Sequence, residues 1–486
     1  MARKIYKYDN PSEEFIKVKH NGKIFTPDYL VKNILDLGHY VAGNISGKHV
    51  IDNSCGDGQF LIWIVERYCE DYLSHSNDLA GLKVELEKFI HAVEIEEKEL
   101  NVCKDRCSKV AEIYGVHDVQ WDFLCENAFK VDKFNNKMDF VIGNPPYVRV
   151  HNLADDFDAV KDYKFAQQGM TDLFYVFFEI GLNMLNEKGI LCYITPSSYF
   201  TSNAGSGLRS HLIDNNFLES VCDLKHYQAF DCTTYTAITC INKTKDDDIT
   251  SYYEYDEETL SPRFVSDLDQ QDFLINGFFY FSTRERLKRL RSILTNEKKV
   301  DIQVKNGYAT LADKVFIGNF DFDSKYVIPV LKASTGKWSK IFFPYDSNSK
   351  LVPLTVIQED ERMFSYLKDN EDKLNNRDSE DKSKESWHAF GRTQAIQDTF
   401  KDKMSINTLV RKVEDIKIID VPANQGVYSG LYIVSDSIDY KTIKKVLMTN
   451  EFVEYVSQLG KYKSGGYYTY SSKDISRYLA YMLGES

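Results

Sequence analysis

Between residues 24 and 242 the hydrophobic positions fall into two alternating textures. Short apolar runs, "KHVIDNSC", "FIHAVEIE", "VQWDFL", "MDFVIGN", "GILCYITP", "LESVCDL" and "TAITCIN", predict β-strands. Between them, "GQFLIWIVERYCEDYL" and "TDLFYVFFEIGLNMLNEKG" repeat apolar residues at helical spacing, the second closing on the glycine after Lys188. Strands alternating with helices predict an α/β fold, a Rossmann-like and mostly parallel sheet with helices on its two faces.

After Lys245 the texture changes to "DDDITSYYEYDEETL" and then to a basic stretch with Arg284, Arg286, Lys288, Arg289, Arg291, Lys298, Lys299 and Lys305. The change places a boundary at residue 284, with one domain over 1–283 and a second, α+β domain over 284–486. The second part has short strand-like and helical pieces in no βα order, interrupted by the charged run "EDERMFSYLKDNEDKLNNRDSEDKSKES". No internal repeat is visible.

The 486 residues, 43% hydrophobic and 14% aromatic, can bury a substantial core. The opening "MARKIYKYDNPSEEF" has no apolar h-region, and no stretch of about 18 residues runs free of charge as a membrane span would. The reading is a soluble, unprocessed, cytoplasmic protein. Nine cysteines lie between Cys55 and Cys240 without CxxC pairs, so they read as reduced thiols. Cys103 and Cys107 share a helix face at i, i+4 but lack a neighbouring His or second pair, and no metal is assigned. The net charge of −13 excludes a uniformly positive surface but not a local basic cleft.

In a parallel α/β sheet, ligands bind beyond the carboxyl ends of the strands, so the residues that follow each apolar run are the candidates. In "VIDNSCGDGQFL", Asp52 ends a strand, and Gly56 and Gly58 let the backbone turn tightly and pass close to a ligand. In "AVEIEEKEL", Glu94, with Ile95 behind it, stands where an acid would hold a ribose diol. The gap from Gly58 to Glu94 exceeds the about twenty residues of the common dinucleotide pattern, and reads as an inserted helical segment. In "VQWDFLCENAF", Asp122 could accept from the exocyclic amine of an adenine, with Phe123 closing the pocket; a turn Asp beside a core Phe is the equal alternative.

The fourth strand end is "VIGNPPYVRV". Pro145 and Pro146 fix φ and donate no backbone hydrogen bond, which preorganises the Asn144 amide and the Pro145 carbonyl, and Tyr147 adds a flat ring. An amide, a bare carbonyl and a ring form a receptor for a planar molecule bearing an NH₂ group. With S-adenosylmethionine in the nucleotide-like pocket, hydrogen bonds to the amine would make its lone pair available for in-line methyl transfer, catalysed by position and electrostatics.

In the order "FTPDYLVKNIL", "VIDNSCGDGQFL", "AVEIEEKEL", "VQWDFL", "GNPPYVRV" and a C-terminal domain, the chain resembles the amino-methylating DNA adenine-N6 methyltransferases of the gamma-type motif order. The resemblance implies S-adenosylmethionine as cofactor. It puts Thr26 and Pro27 on the methionine part; Asp52, Ser54, Cys55, Gly56 and Gly58 in the cofactor loop; Glu94 and Ile95 at the ribose side; and Asp122 and Phe123 at the adenine ring. It makes Asn144, Pro145, Pro146 and Tyr147 the catalytic turn, with Tyr147 stacking on a flipped target base and Phe230, in "HYQAFDCTTYTAITCIN", as a second aromatic. Residues 284–486 become a target-recognition domain, in which "GYATLADKVFIG", "YVIPVLKAS" and "WHAFGR" look like family segments.

The implied partner is double-stranded DNA, which a cognate restriction endonuclease can share. Base flipping costs a few kcal/mol and needs grip on the backbone. Basic residues from Arg284 to Lys305, with Lys314, Lys332, Lys337, Lys340 and Arg392, could supply it, and Lys305, Lys314, Lys332 and Arg392 are the chosen DNA contacts. A methyltransferase of the same turn acting on a protein glutamine amide or on RNA is the competing reading, and a non-catalytic DNA-binding relic is a third. A fused nuclease is disfavoured because the stretch ahead of Phe25 is short and "EDK" at 371–373 and 380–382 lies in a charged run.

Overall fold

The computed structural model describes residues 25–149, 160, 162–169, 171–230, 234–377 and 386–485. It divides into two compact units, Met1–Lys288 and Arg289–Ser486. The first is built on nine strands: β1 Val50–Asp52, β2 Ile90–Glu94, β3 Asp122–Cys125, β4 Met138–Gly143, β5 Leu185–Pro196, β6 Leu218–Asp223, β7 Thr236–Asn242, β8 Ile249–Asp256 and β9 Ser261–Asp269. They lie in the order β3-β2-β1-β4-β5-β7-β6-β8-β9. β3, β2, β1, β4 and β5 run parallel, and β7 is antiparallel to both its neighbours.

All seven apolar runs become strands. β1 and β2 are buried along their whole length, as expected of strands covered on both faces. The Thr- and Tyr-rich run after Lys245 forms β8, which makes an antiparallel hairpin with β9 on the sheet edge. Its buried Thr250, Tyr252 and Tyr255 seat it against the rest of the unit.

The first helix, α1 (Asp28–Leu37), buries Leu30, Val31, Ile34 and Leu35; α2 (Gln59–Leu73) follows the glycine loop. The inserted segment forms α3 (Leu79–Phe89), capped by the Asp78 side chain on Ala80 N, and α4 (Glu97–Ile113) leads to β3. In α5 (Leu173–Met184) Phe174, Tyr175 and Phe178 are almost wholly buried, and each large apolar side chain contributes about 1.5–3 kcal/mol.

The sequence places the end of α5 at Gly189, but the helix stops at Met184 and β5 begins at Leu185. Gly189 lies inside that strand, where a Cβ would come within 2.8 Å of the Met138 carbonyl oxygen and 2.7 Å of Leu185 Cδ2. Its small size serves strand packing rather than a helix cap.

The second unit is α+β. One four-stranded sheet joins Gln303–Asn306, Leu431–Val434, Lys403–Ile406 and Ile418–Val421 antiparallel. Another has the hairpin of Val327–Lys332 and Lys337–Phe342 at its centre. The C-terminal helix Ser472–Leu483 starts at a capping box of Ser471 and Asp474.

The stretch ahead of Phe25 and the tripeptide at 380–382 lie outside the described residues, and the one at 371–373 opens the short helix Glu371–Asn375. Among the described residues no helix is long and apolar enough to cross a membrane.

Candidate active site

The strand order reverses between β1 and β4: from β1 the chain builds outward through β2 and β3, and from β4 through β5 in the other direction. The crevice beyond the carboxyl ends of these two strands is where such sheets bind ligands. Asp52 closes β1 and Gly143 closes β4. Asp52 is 1% exposed and accepts a hydrogen bond from Ser54 N at 3.1 Å. Burial pushes its carboxyl well above the usual range. A Cβ on Gly143 would lie 2.7 Å from Asp52 Oδ1, so the two strand ends approach as closely as glycine allows.

The glycine loop is tied to β2. Cys55 N donates to Val93 O at 3.0 Å, and Gly56 N donates to Glu94 Oε2 at 2.9 Å. Gly58 holds φ +88° against α4, where a Cβ would meet Cys103 Sγ at 2.7 Å, so this position needs glycine for both reasons. Cys103 and Cys107 are thus core thiols beneath the loop.

Several residues that fix this loop are absent from the sequence reading. Arg106 on α4 pairs with Asp57 Oδ2 at 2.7 Å, donates to the Asp57 carbonyl at 3.0 Å and reaches Gln59 Oε1 at 2.8 Å. Asp28, at the start of α1, accepts from Gln59 Nε2 at 2.6 Å and from Trp63 Nε1 at 3.2 Å. An Asp directly after Thr-Pro was the one signal available.

Glu94 ends β2, buried, and also accepts from Glu96 N at 3.0 Å. Two backbone donors thus orient the Glu94 carboxylate at the end of β2. The next residue, Ile95, is 60% exposed, an apolar face beside the acid.

Asp122 and Phe123 are placed differently from the reading, which put them after a strand. Asp122 begins β3 and pairs in register with His91, while the carboxyl end of that strand pairs with Glu94. Its carboxylate is taken by His91 Nδ1 at 3.0 Å and by Lys133. Phe123 stacks on Trp121 in the core. The apolar "VQW" misled because Trp121 docks on α4 through Ser108 Oγ rather than entering the sheet. The residues beyond the carboxyl end of β3 are Glu126, whose N donates to Glu94 O at 3.1 Å, and Asn127, whose Oδ1 accepts from Phe129 N at 3.0 Å.

At the end of β4, Asn144 Nδ2 donates to Thr26 Oγ1 at 3.0 Å, while Asn144 Oδ1 is buried and has no partner among the described residues. Pro145 is buried. Tyr147 donates its hydroxyl to Ile194 O at 3.0 Å, and its ring meets Phe230 edge-on, the centroids 6.4 Å apart. The segment carrying Phe230 is tied to α1 through the hydroxyls of Tyr29 and Tyr227, 2.5 Å apart, and Tyr227 stacks on Tyr255. Thr26, Asn144, Tyr147 and Phe230 are thereby gathered around one strand end.

In the second unit, Lys305 pairs with Asp398 Oδ2 at 2.7 Å, so its charge is committed within the protein. Lys314 and Arg392 are exposed and Lys332 is half-buried. In the helix Arg284–Leu294, Arg284 pairs with Asp269 and Asp272, and Arg289 lies 3.9 Å from Glu454.

Residues 69–230 match the Eco57I restriction-modification methylase family, a stretch that holds β2 to β4, the turn at Asn144 and Phe230. The chain is a methyltransferase of the restriction-modification type. It is 27% identical to the type II methyltransferase M.BstVI of Geobacillus stearothermophilus over 76% of its own length and 73% of that protein. It is 23% identical to M.PaeR7I of Pseudomonas aeruginosa over 94% of its own length and 85% of that protein. Its fold matches the type IIL restriction-modification enzyme MmeI, solved in complex with DNA, with a TM-score of 0.62 at 14% identity over 94% of this chain and 64% of that one.

S-adenosylmethionine is the expected cofactor of this methyltransferase, and the crevice fits it. Gly56 has open space where a Cβ would stand, and the Ser54 hydroxyl and the Asn144 amide oxygen are buried without partners among the described residues.

Proposed function

We propose that this methyltransferase methylates the N6 amine of an adenine flipped out of a specific sequence in double-stranded DNA. The observation that carries the reading is the buried, unpartnered Oδ1 of Asn144 beside the rings of Tyr147 and Phe230. A buried acceptor without a donor costs about 1–3 kcal/mol, which the NH₂ group of a bound base would relieve. The two rings offer apolar faces on which an extruded base can stack.

In this reading Glu94 holds ribose hydroxyls, Ile95 packs on the adenine ring of the cofactor, and Asp52, Ser54 and the Gly56–Gly58 backbone surround the methionine end with Thr26 and Pro27. Asn127 replaces Asp122 as the polar side chain beside that adenine, because Asn127 lies at the carboxyl end of β3 and Asp122 does not. The cofactor supplies an electrophilic methyl group on a sulfonium. Asn144 Oδ1 and the Pro145 carbonyl would each accept a hydrogen bond from the amine, drawing the nitrogen lone pair out of ring conjugation and toward the position of the methyl donor, and the amine's surplus proton would pass to solvent.

Lys314, Lys332, Lys337, Lys340 and Arg392 of the second unit contact phosphates or base edges, and sequence choice resides there. A restriction endonuclease reading the same sequence is a natural partner, and the prokaryotic cytosol the place of work. A protein glutamine amide, the competing substrate, gains nothing from a pair of ring faces sized for a base.

The test is transfer of labelled methyl from S-adenosylmethionine to mixed-sequence duplex DNA, followed by digestion and mass spectrometry. N6-methyladenine is the expected product. Label in cytosine, RNA or protein instead of adenine overturns the reading.

A further inference from the structure

Thr26 and Asn144 stand 118 positions apart, yet their side chains meet at 3.0 Å with the Asn144 amide nitrogen donating. Thr26 is 2% exposed. The two ends of an amide have nearly the same size and exchange by rotation about one soft torsion, so only hydrogen bonds decide which end faces a ligand. Here one end is held by Thr26, and the other, Oδ1, is the buried acceptor.

Thr26 sits on a fixed piece of backbone. The Pro27 carbonyl accepts from Leu30 N and Val31 N at 3.0 Å as α1 opens, and Asp28 is tied to α2 through Gln59 and Trp63. The hydroxyl therefore presents a fixed acceptor to the catalytic turn.

We propose that Thr26 is a positioning residue for methyl transfer: its hydroxyl accepts from the Asn144 amide nitrogen and thereby keeps the amide oxygen turned toward the reacting amine. The inference rests on the adenine-N6 reading and adds to Thr26 a task separate from any contact with the cofactor. Without the hydroxyl the amide nitrogen loses its acceptor and the group is free to rotate, and misplacement of a reacting group by about 1 Å can cost on the order of 100-fold in rate.

The experiment uses the full chain with Thr26→Val, Thr26→Ala and Thr26→Ser, each alone and combined with Asn144→Ala. It reads cofactor Kd by calorimetry and single-turnover transfer to a synthetic duplex carrying the mapped site. Valine and alanine are expected to slow transfer at saturating cofactor by about 10- to 100-fold, over and above any change in cofactor Kd, and serine to restore that saturated rate. In the Asn144→Ala background the same changes should have no further effect. Weaker cofactor binding with a normal saturated rate, failure of serine to rescue, or full additivity with Asn144→Ala would overturn the proposal. Failure of the adenine reading would appear in the unsubstituted enzyme, as label on a different acceptor, and the double-variant comparison on that acceptor still decides whether Thr26 acts through Asn144.

Discussion

Gly143 and Asp52, on adjacent parallel strands, are packed so closely that a methyl group on one would lie 2.7 Å from the carboxylate of the other. The separation of the two strand ends that frame the crevice is therefore set by a missing side chain. Gly143→Ala should cost about 1–3 kcal/mol through overpacking and push Asp52 out of place, weakening cofactor binding. Thermal melts and calorimetric titration would check both effects; an unchanged melting temperature with normal cofactor affinity would show that β4 can shift without consequence.

Asp122 gives a prediction about pH and one about position. Its hydrogen bond with His91, followed by that with Lys133, holds its carboxyl down at about 2. A depressed carboxyl pKa contributes stability above the unfolded-state value of about 3.9 and loses it as pH falls through the folded value. Asp122→Asn should thus be less stable than the parent at pH 6, and the difference should shrink between about pH 4 and pH 2. Because Asp122 starts β3 rather than ending it, cofactor Kd should stay within about twofold of the parent, roughly 0.4 kcal/mol. A large loss of cofactor affinity would return Asp122 to the pocket.

Arg106 braces the glycine loop from α4 through Asp57 and Gln59. Its replacement by Ala is expected to raise cofactor Kd about tenfold, roughly 1.4 kcal/mol, with little change in the transfer rate at saturating cofactor, since Arg106 makes no contact with the turn at Asn144. Calorimetry and single-turnover rates separate the two quantities.

Asn144→Ala should bind cofactor normally and lose about two to three orders of magnitude in transfer. Tyr147→Phe is expected to fall between the parent and Tyr147→Ala, because the hydroxyl anchors the ring to Ile194 O while the ring provides the stacking face. Base extrusion, followed with a fluorescent adenine analogue at the target position, reads the ring; equal and severe loss in both Tyr147 variants would assign the effect to the hydroxyl.

Much of the first unit was legible because each of its seven expected strands is a short, apolar-rich run, and the rule of inspecting the residues at the end of such runs places Asp52, Glu94 and Asn144 at or just after strand ends, where the structure has them. At β3 the pattern misleads, because Trp121 looks like a strand residue but packs on a helix, and Asp122 therefore opens the strand instead of following it. Gly189 misleads in the same way, since this glycine at the end of a helical pattern relieves crowding inside a strand. Arg106 and the Thr26–Asn144 contact were out of reach for another reason: they are relations between distant segments, and neither partner carries a mark of the other.

The distance along the chain between Thr26 and Asn144 has a bearing on biosynthesis. No short fragment contains both the acceptor and the group it orients, and the glycine loop and its bracing arginine are likewise drawn from separate helices. A ribosome must release everything through the fourth strand before the amide can be set, and pairings between remote segments are among the slower steps of folding. The reaction centre thus cannot form until the fourth strand has joined the sheet, so a chain cut short of that strand is inert rather than indiscriminate. For an enzyme whose product is a lasting mark on its substrate, correct assembly and chemical competence become the same event.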